Sequence, residues 1–359
     1  MTEITAALCR ETGAPLSVET VRLAAPGPGA VRVRMEAVAI CASDIAFGDG
    51  AWEVPVPALF GHEGVGRVTE VGPCVTGRAP GERVLVTLLR ACRACPACAG
   101  GRGAYCRASP DIGSPLSLPD GTPVTQGMET GAFAEEVVVH ESQLVAVPES
   151  LAPEAACLLS CGVITGVGAV VNAARLRPGE TALIVGAGGV GLSAIQGAAL
   201  AGAARIVAMD ISEDKLATAR AFGATDTILA TEPKPWRALA AIAPHLADAV
   251  ILCTGAIAAF RSAPRLLAPG GRMVMAGLPH SGQTADYEPV ILSALGQSII
   301  GTRMGDTVLA RDIPWLVDLA GQGRLQLDAL VSGRWPLDRI NEAIADTRAG
   351  HARRNVILF

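Results

Sequence analysis

The sequence predicts an α/β protein in which a doubly wound parallel sheet is joined to a smaller, irregular antiparallel β region. Two stretches carry that reading. From Ala182 to Asp210, an apolar run, a glycine-rich turn, an alanine-rich segment and a second apolar run follow in the order strand, turn, helix, strand. Upstream, residues 4 to 40 alternate short β-type runs (Ile4 to Leu8, Leu16 to Leu23, Val31 to Ile40) with Pro and Gly punctuation around Pro26 to Gly29, and hold no helix of length.

The parallel half rests on the turn Gly186-Ala-Gly188-Gly189-Val190-Gly191, which follows the Ala182 to Val185 strand directly. In such a turn the first glycine permits a tight bend, the second lets backbone approach a pyrophosphate, and the third lets helix and strand pack closely. The phosphates then sit at a helix N-terminus. The second strand, Ala204 to Met209, stops at Asp210, nineteen residues beyond Gly191. A carboxylate there accepts hydrogen bonds from the adenosine ribose hydroxyls and repels a 2′-phosphate, so the pattern predicts NAD rather than NADP.

Composition bounds the alternatives. At 359 residues the chain suits two domains with a sizeable core. No run is long and apolar enough to span a bilayer, and the N-terminus, with Glu3 and Arg10, has no signal-peptide pattern, so a soluble, cytoplasmic protein without membrane partners is expected. The 29 Lys plus Arg against 34 Asp plus Glu, with no basic block, argue against nucleic acid. Ten cysteines without an export signal point to metal or thiol chemistry rather than disulfides.

The cysteines group in two ways. Cys92-x₂-Cys95-x₂-Cys98-x₇-Cys106 is the spacing of a closed, tetrahedral Cys₄ zinc site. Arg90, Arg93, Arg102 and Arg107 around it either form a solvated face or offset the charge of four thiolates. More dispersed are Cys41, His62 and Cys161. Each alone reads as a buried small residue or a core histidine. Beside a nicotinamide-type fold, two thiolates and an imidazole make the three-ligand set of an open zinc site, with a fourth position left for water or substrate.

Together these motifs give the chain a resemblance, over essentially its whole length, to the zinc-dependent alcohol dehydrogenases of the medium-chain dehydrogenase/reductase superfamily. The resemblance implies a Rossmann sheet plus a GroES-like catalytic domain, with boundaries at 1–162 (catalytic, including the zinc loop), 163–303 (NAD-binding) and 304–359 (return to the catalytic domain). It implies two zinc ions per chain, a catalytic one on Cys41, His62 and Cys161 and a structural one on Cys92, Cys95, Cys98 and Cys106. By the same resemblance Glu63 is the acidic neighbour of the catalytic zinc and Asp44 the partner of the ligand histidine. Ser43 takes the substrate proton, and Thr165 packs on the nicotinamide. Asp210 and Lys215 hold the adenosine ribose, Arg354 contacts phosphate, and the likeness implies a homodimer or homotetramer. Trp52 and Leu88 fall at substrate-pocket positions, although either is equally readable as core.

Two positions depart from related dimeric enzymes: Ala42 stands where a basic residue often meets the pyrophosphate, and Ala46 where a histidine passes the proton to solvent. The remaining elements follow from periodicity. Strands are expected at Ala134 to His140, Gln143 to Val147, Ala249 to Cys253 and Met273 to Leu278. Helices are expected at Ile257 to Leu267, before a Pro269-Gly-Gly turn, and at Pro314 to Ala320 and Leu337 to Thr347, with a last strand at Val356 to Leu358.

The predicted reaction is reversible hydride transfer from an alcohol to NAD, giving an aldehyde or ketone. Two alternatives accompany it. One is oxidation of the adduct between formaldehyde and a cellular thiol; the other is a non-enzymatic zinc-thiolate redox sensor or binding module.

Overall fold

The computed structural model describes residues Met1 to Phe359, which divide into two compact units: Met1–Cys161 with Val308–Phe359, and Gly162–Thr307. No single helix is long and apolar enough to cross a membrane.

The first unit is built from β1 (Thr2–Cys9), β2 (Ser17–Leu23), β3 (Ala30–Ala39), the short helix α1 (Ala42–Gly48), β4 (Ala58–Leu59), β5 (Glu63–Val71), β6 (Arg83–Val86), α2 (Pro96–Ala99), β7 (Leu116–Ser117), β8 (Thr125–Gln126), β9 (Glu136–His140), β10 (Leu144–Ala146) and α3 (Pro153–Ala156). β1 and β2 pair antiparallel in a five-stranded sheet ordered β7-β2-β1-β4-β8. β3 organises a second, mixed sheet. Its Val31, Val33 and Met35 point inward while Arg34 between them faces solvent, the alternation that one wet face demands. Register shifts between β3 and β5 mark bulges, so the sheet bends rather than running flat. Leu8, Leu23, Ile40, Phe60 and Phe133 are buried in the core that results.

The second unit contains α4 (Gly162–Gly168), β11 (Thr181–Val185), α5 (Gly189–Leu200), β12 (Arg205–Asp210), α6 (Glu213–Ala221), β13 (Asp226–Leu229), α7 (Pro235–Ile242), β14 (Ala247–Leu252), α8 (Ile257–Ser262), β15 (Leu267–Met275), α9 (Pro289–Ala294) and β16 (Ser298–Gly301). The six strands are all parallel, in the order β13-β12-β11-β14-β15-β16. The chain builds outward to one side of β11 and then crosses to β14 on the other, and this reversal of strand order defines a doubly wound sheet with its ligand crevice at the switch point. β11 and β14 lie mid-sheet with helices against both faces, which is why they read as nearly unbroken apolar runs.

The chain then re-enters the first unit through α10 (Leu309–Gly321), β17 (Val331–Pro336), α11 (Ile340–Arg348) and β18 (Arg354–Leu358). β18 pairs antiparallel with β3 and completes the order β10-β6-β5-β3-β18-β17, with β9 also on β3.

Several boundaries differ from the sequence reading. Pro269-Gly-Gly is no free turn: β15 runs from Leu267 to Met275, with Ala247 opposite Leu267 and Ala249 opposite Arg272, so these residues form a bulge. The strand stops at Met275 rather than Leu278. At Gly277 a Cβ would lie 2.3 Å from the Thr254 carbonyl oxygen. The helix from Ile257 tightens into a 3₁₀ turn at Ala263–Leu266, where Pro264 supplies no N–H. α10 begins at Leu309, ahead of Pro314, because the Asp312 carboxylate accepts the Val308 N–H (2.9 Å) and caps an earlier start.

Candidate metal centres and nucleotide turn

Cys41 ends the run that begins with β3 and caps α1, and its N–H donates to the Asp44 carboxylate (3.0 Å). The other Asp44 oxygen accepts the Gly61 N–H (2.9 Å) and faces His62 Nδ1 at 3.0 Å. With the Asp44 carboxylate facing Nδ1, the ring proton sits on that nitrogen and Nε2 is left as the ligand position. That Nε2 is buried and has no hydrogen-bond partner. An unsatisfied buried polar atom costs about 1–3 kcal/mol, so the position calls for a partner that protein atoms do not provide.

Cys41, Glu63 and Cys161 supply the surroundings of that lone pair. One ligand atom from each of these residues and from His62 lies within 4.8 Å of the others, and all four side chains are buried. Backbone geometry makes the approach possible. Gly61 has φ of 90°, and a Cβ there would lie 2.6 Å from the Phe133 nitrogen, so only glycine fits directly before His62. Ser160 donates to the Gly64 carbonyl (2.8 Å), tying the segment that ends at Cys161 to β5. Two thiols and an imidazole lone pair with a carboxylate adjacent suit a borderline-soft divalent ion, and zinc fits this donor set.

Arg354, at the start of β18, forms an ion pair with Glu63 and is itself buried. Burial pushes the Glu63 carboxyl up to about 7 while Arg354 opposes it. Burial works against the Arg354 charge, but Glu63 and Cys41 more than offset it and hold the guanidinium protonated.

The second cluster lies on the loop around α2. Cys92 Sγ is 3.9 Å from Cys98 Sγ, and Cys95 Sγ is 3.9 Å from Cys106 Sγ. A tetrahedron of sulfurs about 2.3 Å from a zinc ion has edges of about 3.8 Å, so the four thiols match it. All are free, and backbone N–H groups point at the sulfurs: Cys92 N–H at Cys106 (3.3 Å) and Cys95 N–H at Cys92 (3.2 Å). Backbone N–H groups of Cys98 and Arg107 draw the Cys95 thiol down to about 6, favouring the thiolate a metal needs.

In the second unit, Gly186 has φ of 94°. A Cβ on Gly191 would lie 1.8 Å from the Gly186 carbonyl oxygen, whereas one on Gly188 meets nothing within 4 Å. The turn is therefore closed on its protein side at Gly191 and open at Gly188, with Gly188, Gly189 and Val190 partly exposed at the N-terminus of α5. Asp210 is buried at the end of β12. Its carboxylate accepts the Ala187 N–H (2.7 Å) and the Ser212 N–H (3.1 Å), so it braces the turn. Lys215 is half-buried in the first turn of α6. Thr165 is buried on α4, its hydroxyl 3.7 Å from Met304 Sδ.

Other predicted residues are placed as follows. Ser43 is half-buried on α1 and Ala42 beside it is exposed. Trp52 is half-buried with its ring edge-on to Phe47 at 5.0 Å, and Leu88 is half-buried outside the core cluster. Sequence reasoning missed the Glu63–Arg354 pair, the Asp210 brace and the Met304 contact. No spacing rule links residues this far apart. An arginine leading into the apolar run Val356 to Leu358 was the available sign for the first.

Comparison with known proteins agrees with this architecture. Residues 27–149 match the alcohol dehydrogenase GroES-like domain, and residues 189–322 match the zinc-binding dehydrogenase domain. The chain is 33% identical to S-(hydroxymethyl)glutathione dehydrogenase of Paracoccus denitrificans, over 99% of each protein. Among solved structures, an alcohol dehydrogenase zinc-binding domain protein from Burkholderia ambifaria superposes with a TM-score of 0.94 at 36% identity, covering 100% of this chain and 99% of that one. Benzyl alcohol dehydrogenase from Acinetobacter calcoaceticus gives 0.92 at 30% identity, covering 100% of both. A GroES-like β domain with a Rossmann sheet, a thiol–imidazole centre and a Cys₄ loop define a zinc-type dehydrogenase. The chain belongs to the zinc-dependent alcohol dehydrogenases of the medium-chain dehydrogenase/reductase superfamily. It is an oxidoreductase acting on CH–OH donors, with zinc and NAD as cofactors.

Proposed function

We propose that this protein oxidises a small alcohol at Cys41, His62 and Cys161 and that the residues around them divide the work as follows. The observation that carries the reading is the buried, unpartnered Nε2 of His62 facing two thiols. When bound, zinc lowers the pKa of an alcohol hydroxyl, and NAD accepts the hydride. Asp44 fixes the His62 tautomer and ring orientation. Ser43, half-buried on the same helix, accepts the hydroxyl proton. Glu63 balances charge beside the ligands and is itself held by Arg354, which is also the candidate phosphate contact. Cys92, Cys95, Cys98 and Cys106 hold the second, structural zinc. Trp52 and Leu88 line the alcohol.

Cofactor binding falls to the second unit. Backbone N–H groups from Gly188 to Gly191 receive the pyrophosphate at the N-terminus of α5. Asp210 has four lone-pair positions and uses two on backbone; the other two suit the ribose 2′- and 3′-hydroxyls, with Lys215 beside them. A 2′-phosphate would meet a carboxylate, which favours NAD. Thr165 packs against the nicotinamide.

The Paracoccus relative supports a second substrate reading, the adduct of formaldehyde with a thiol. Rates with a panel of alcohols, and with formaldehyde in the presence and absence of glutathione, followed by NADH absorbance, separate the two. Turnover of neither class, or full turnover after complete removal of metal, would refute the proposal.

The assembly we propose is a homodimer in the cytoplasm. Free cysteines throughout suit a reducing compartment. In the second unit β16 is an edge strand, and α9 beside it in sequence buries none of its residues and leaves Val290 71% exposed; Leu278, in the segment after β15, is 62% exposed. An open strand edge next to apolar side chains is a self-complementary surface for a two-fold pair. Light scattering after gel filtration tests this, and a monomer at micromolar concentration would exclude it.

A further inference from the structure

α1 ends in a hydrogen-bonded reversal that returns the chain over the helix's own last turn. Gly50 N–H donates to the Phe47 carbonyl (3.1 Å) and Ala51 N–H to the Ala46 carbonyl (2.8 Å), the paired bonds of a Schellman cap. The cap needs Gly50, whose φ is 80° and where a Cβ would lie 2.7 Å from Thr12 Cγ2. Trp52 follows at once, and its ring meets Phe47 with centroids 5.0 Å apart and planes at 62°. Phe47 in turn stacks on Phe60 (6.1 Å, 27°), which is buried and stands two residues ahead of His62. We infer that Phe47 is a positioning residue for the alcohol site: it holds the Trp52 indole at one tilt, so that the site favours alcohols carrying a neutral, planar ring. This role presupposes that Trp52 lines the alcohol, as proposed for the site.

The two rings are held in different ways. Phe47 and Val54, on either side of Trp52 in sequence, pack against the core cluster, whereas half-buried Trp52 does not belong to it. With the backbone anchored before and after it, the indole keeps only the rotations about its own two χ angles. Edge-to-face contact is the arrangement that aromatic quadrupoles prefer, so the ring of Phe47 selects one of those orientations. Against a flat wall of fixed tilt a planar ring makes contact over its whole area, while a puckered ring of the same carbon count touches through a few hydrogens. Neither Trp52 nor Leu88 carries a charge, and a charged ring would lose its hydration without a partner there. The helix that presents Phe47 also carries Ser43 and Asp44, so this wall and the metal centre share one support.

The test compares benzyl alcohol with cyclohexylmethanol, which have the same carbon skeleton and differ in planarity. Values of kcat/KM at saturating NAD are read by NADH absorbance on the zinc-loaded protein. Phe47→Leu should lower the ratio of benzyl alcohol to cyclohexylmethanol by roughly two- to tenfold, the range that one aromatic pair spans. Trp52→Leu should lower it at least as far, and adding Phe47→Leu to Trp52→Leu should lower it no further. Thermal unfolding is followed for each variant, and Phe47→Met replaces Phe47→Leu if the transition is lost. Equal losses with both alcohols in Phe47→Leu overturn the proposal, because a merely structural role does not discriminate between the rings. So do losses that multiply in the double variant. A ratio that falls with Trp52→Leu but not with Phe47→Leu overturns the role of Phe47 alone. A ratio unmoved by Trp52→Leu removes Trp52 from the alcohol site and the proposal with it, and turnover of neither alcohol refutes the underlying reading and the proposal together.

Discussion

Glu63 and Arg354, from β5 and β18 near opposite ends of the chain, form a buried ion pair within the first unit. Desolvating two charges is costly, and their attraction recovers that cost only while both are present. Arg354→Met should destabilise the protein by about 3–5 kcal/mol, whereas Glu63→Gln with Arg354→Met together should cost less than Arg354→Met alone. Urea denaturation of Arg354→Met, Glu63→Gln and the double variant measures this. Additive losses would show that the pair is not coupled.

The two thiol clusters should separate function from stability. His62→Ala or Cys161→Ser should abolish turnover, lower bound zinc from two to one per chain, and leave a cooperative unfolding transition. Cys95→Ser opens a closed structural site and should cost stability first, by about 3 kcal/mol or more. Metal analysis beside thermal denaturation distinguishes these outcomes, and equal stability loss at both sites would contradict the division of roles.

Gly188 and Gly191 are predicted to respond in opposite ways to one added methyl group. Gly191→Ala drives a Cβ into the Gly186 carbonyl and should lower stability by about 2 kcal/mol or more. Gly188→Ala meets open space, so the apoprotein should be unaffected while NADH affinity falls at least tenfold. Calorimetric melting and NADH fluorescence titration read the two effects separately.

Asp210 is predicted to set cofactor preference while bracing the turn. Asp210→Gly with Ile211→Arg should move the ratio of kcat/KM for NADP over NAD upward by roughly a hundredfold, because repulsion is removed and a cation added. Absolute activity should fall with both cofactors. The Ala187 N–H loses its charged acceptor, an interaction worth about 1.5–3 kcal/mol. A variant that gains NADP activity without losing NAD affinity would show that the brace is dispensable.

Much of the protein was legible in its sequence because the relevant constraints are local. Gly186 to Gly191 between an apolar strand and an alanine-rich helix specifies its own turn, since backbone conformation there depends on which positions lack a Cβ. Cys92 to Cys106 closes within a single loop, so spacing alone predicts four sulfurs around one centre. Alternation in β3 and unbroken apolar runs in β11 and β14 state which sheet has a wet face and which is covered on both.

What only the tertiary structure decided depends on residues that chain distance does not relate. Cys41, His62 and Cys161 become neighbours because β5 carries His62 past the end of β3 and Ser160 pins the following segment to Gly64. The lone pair left on His62 Nε2 exists because Asp44 takes the other nitrogen, a choice made by the fold of α1 against Gly61. Arg354 meets Glu63 because β18 adds to the edge of β3. Periodicity encodes which face of an element is buried, but which buried faces meet is fixed by the packing of the whole unit. The chemistry of the site resides in those meetings.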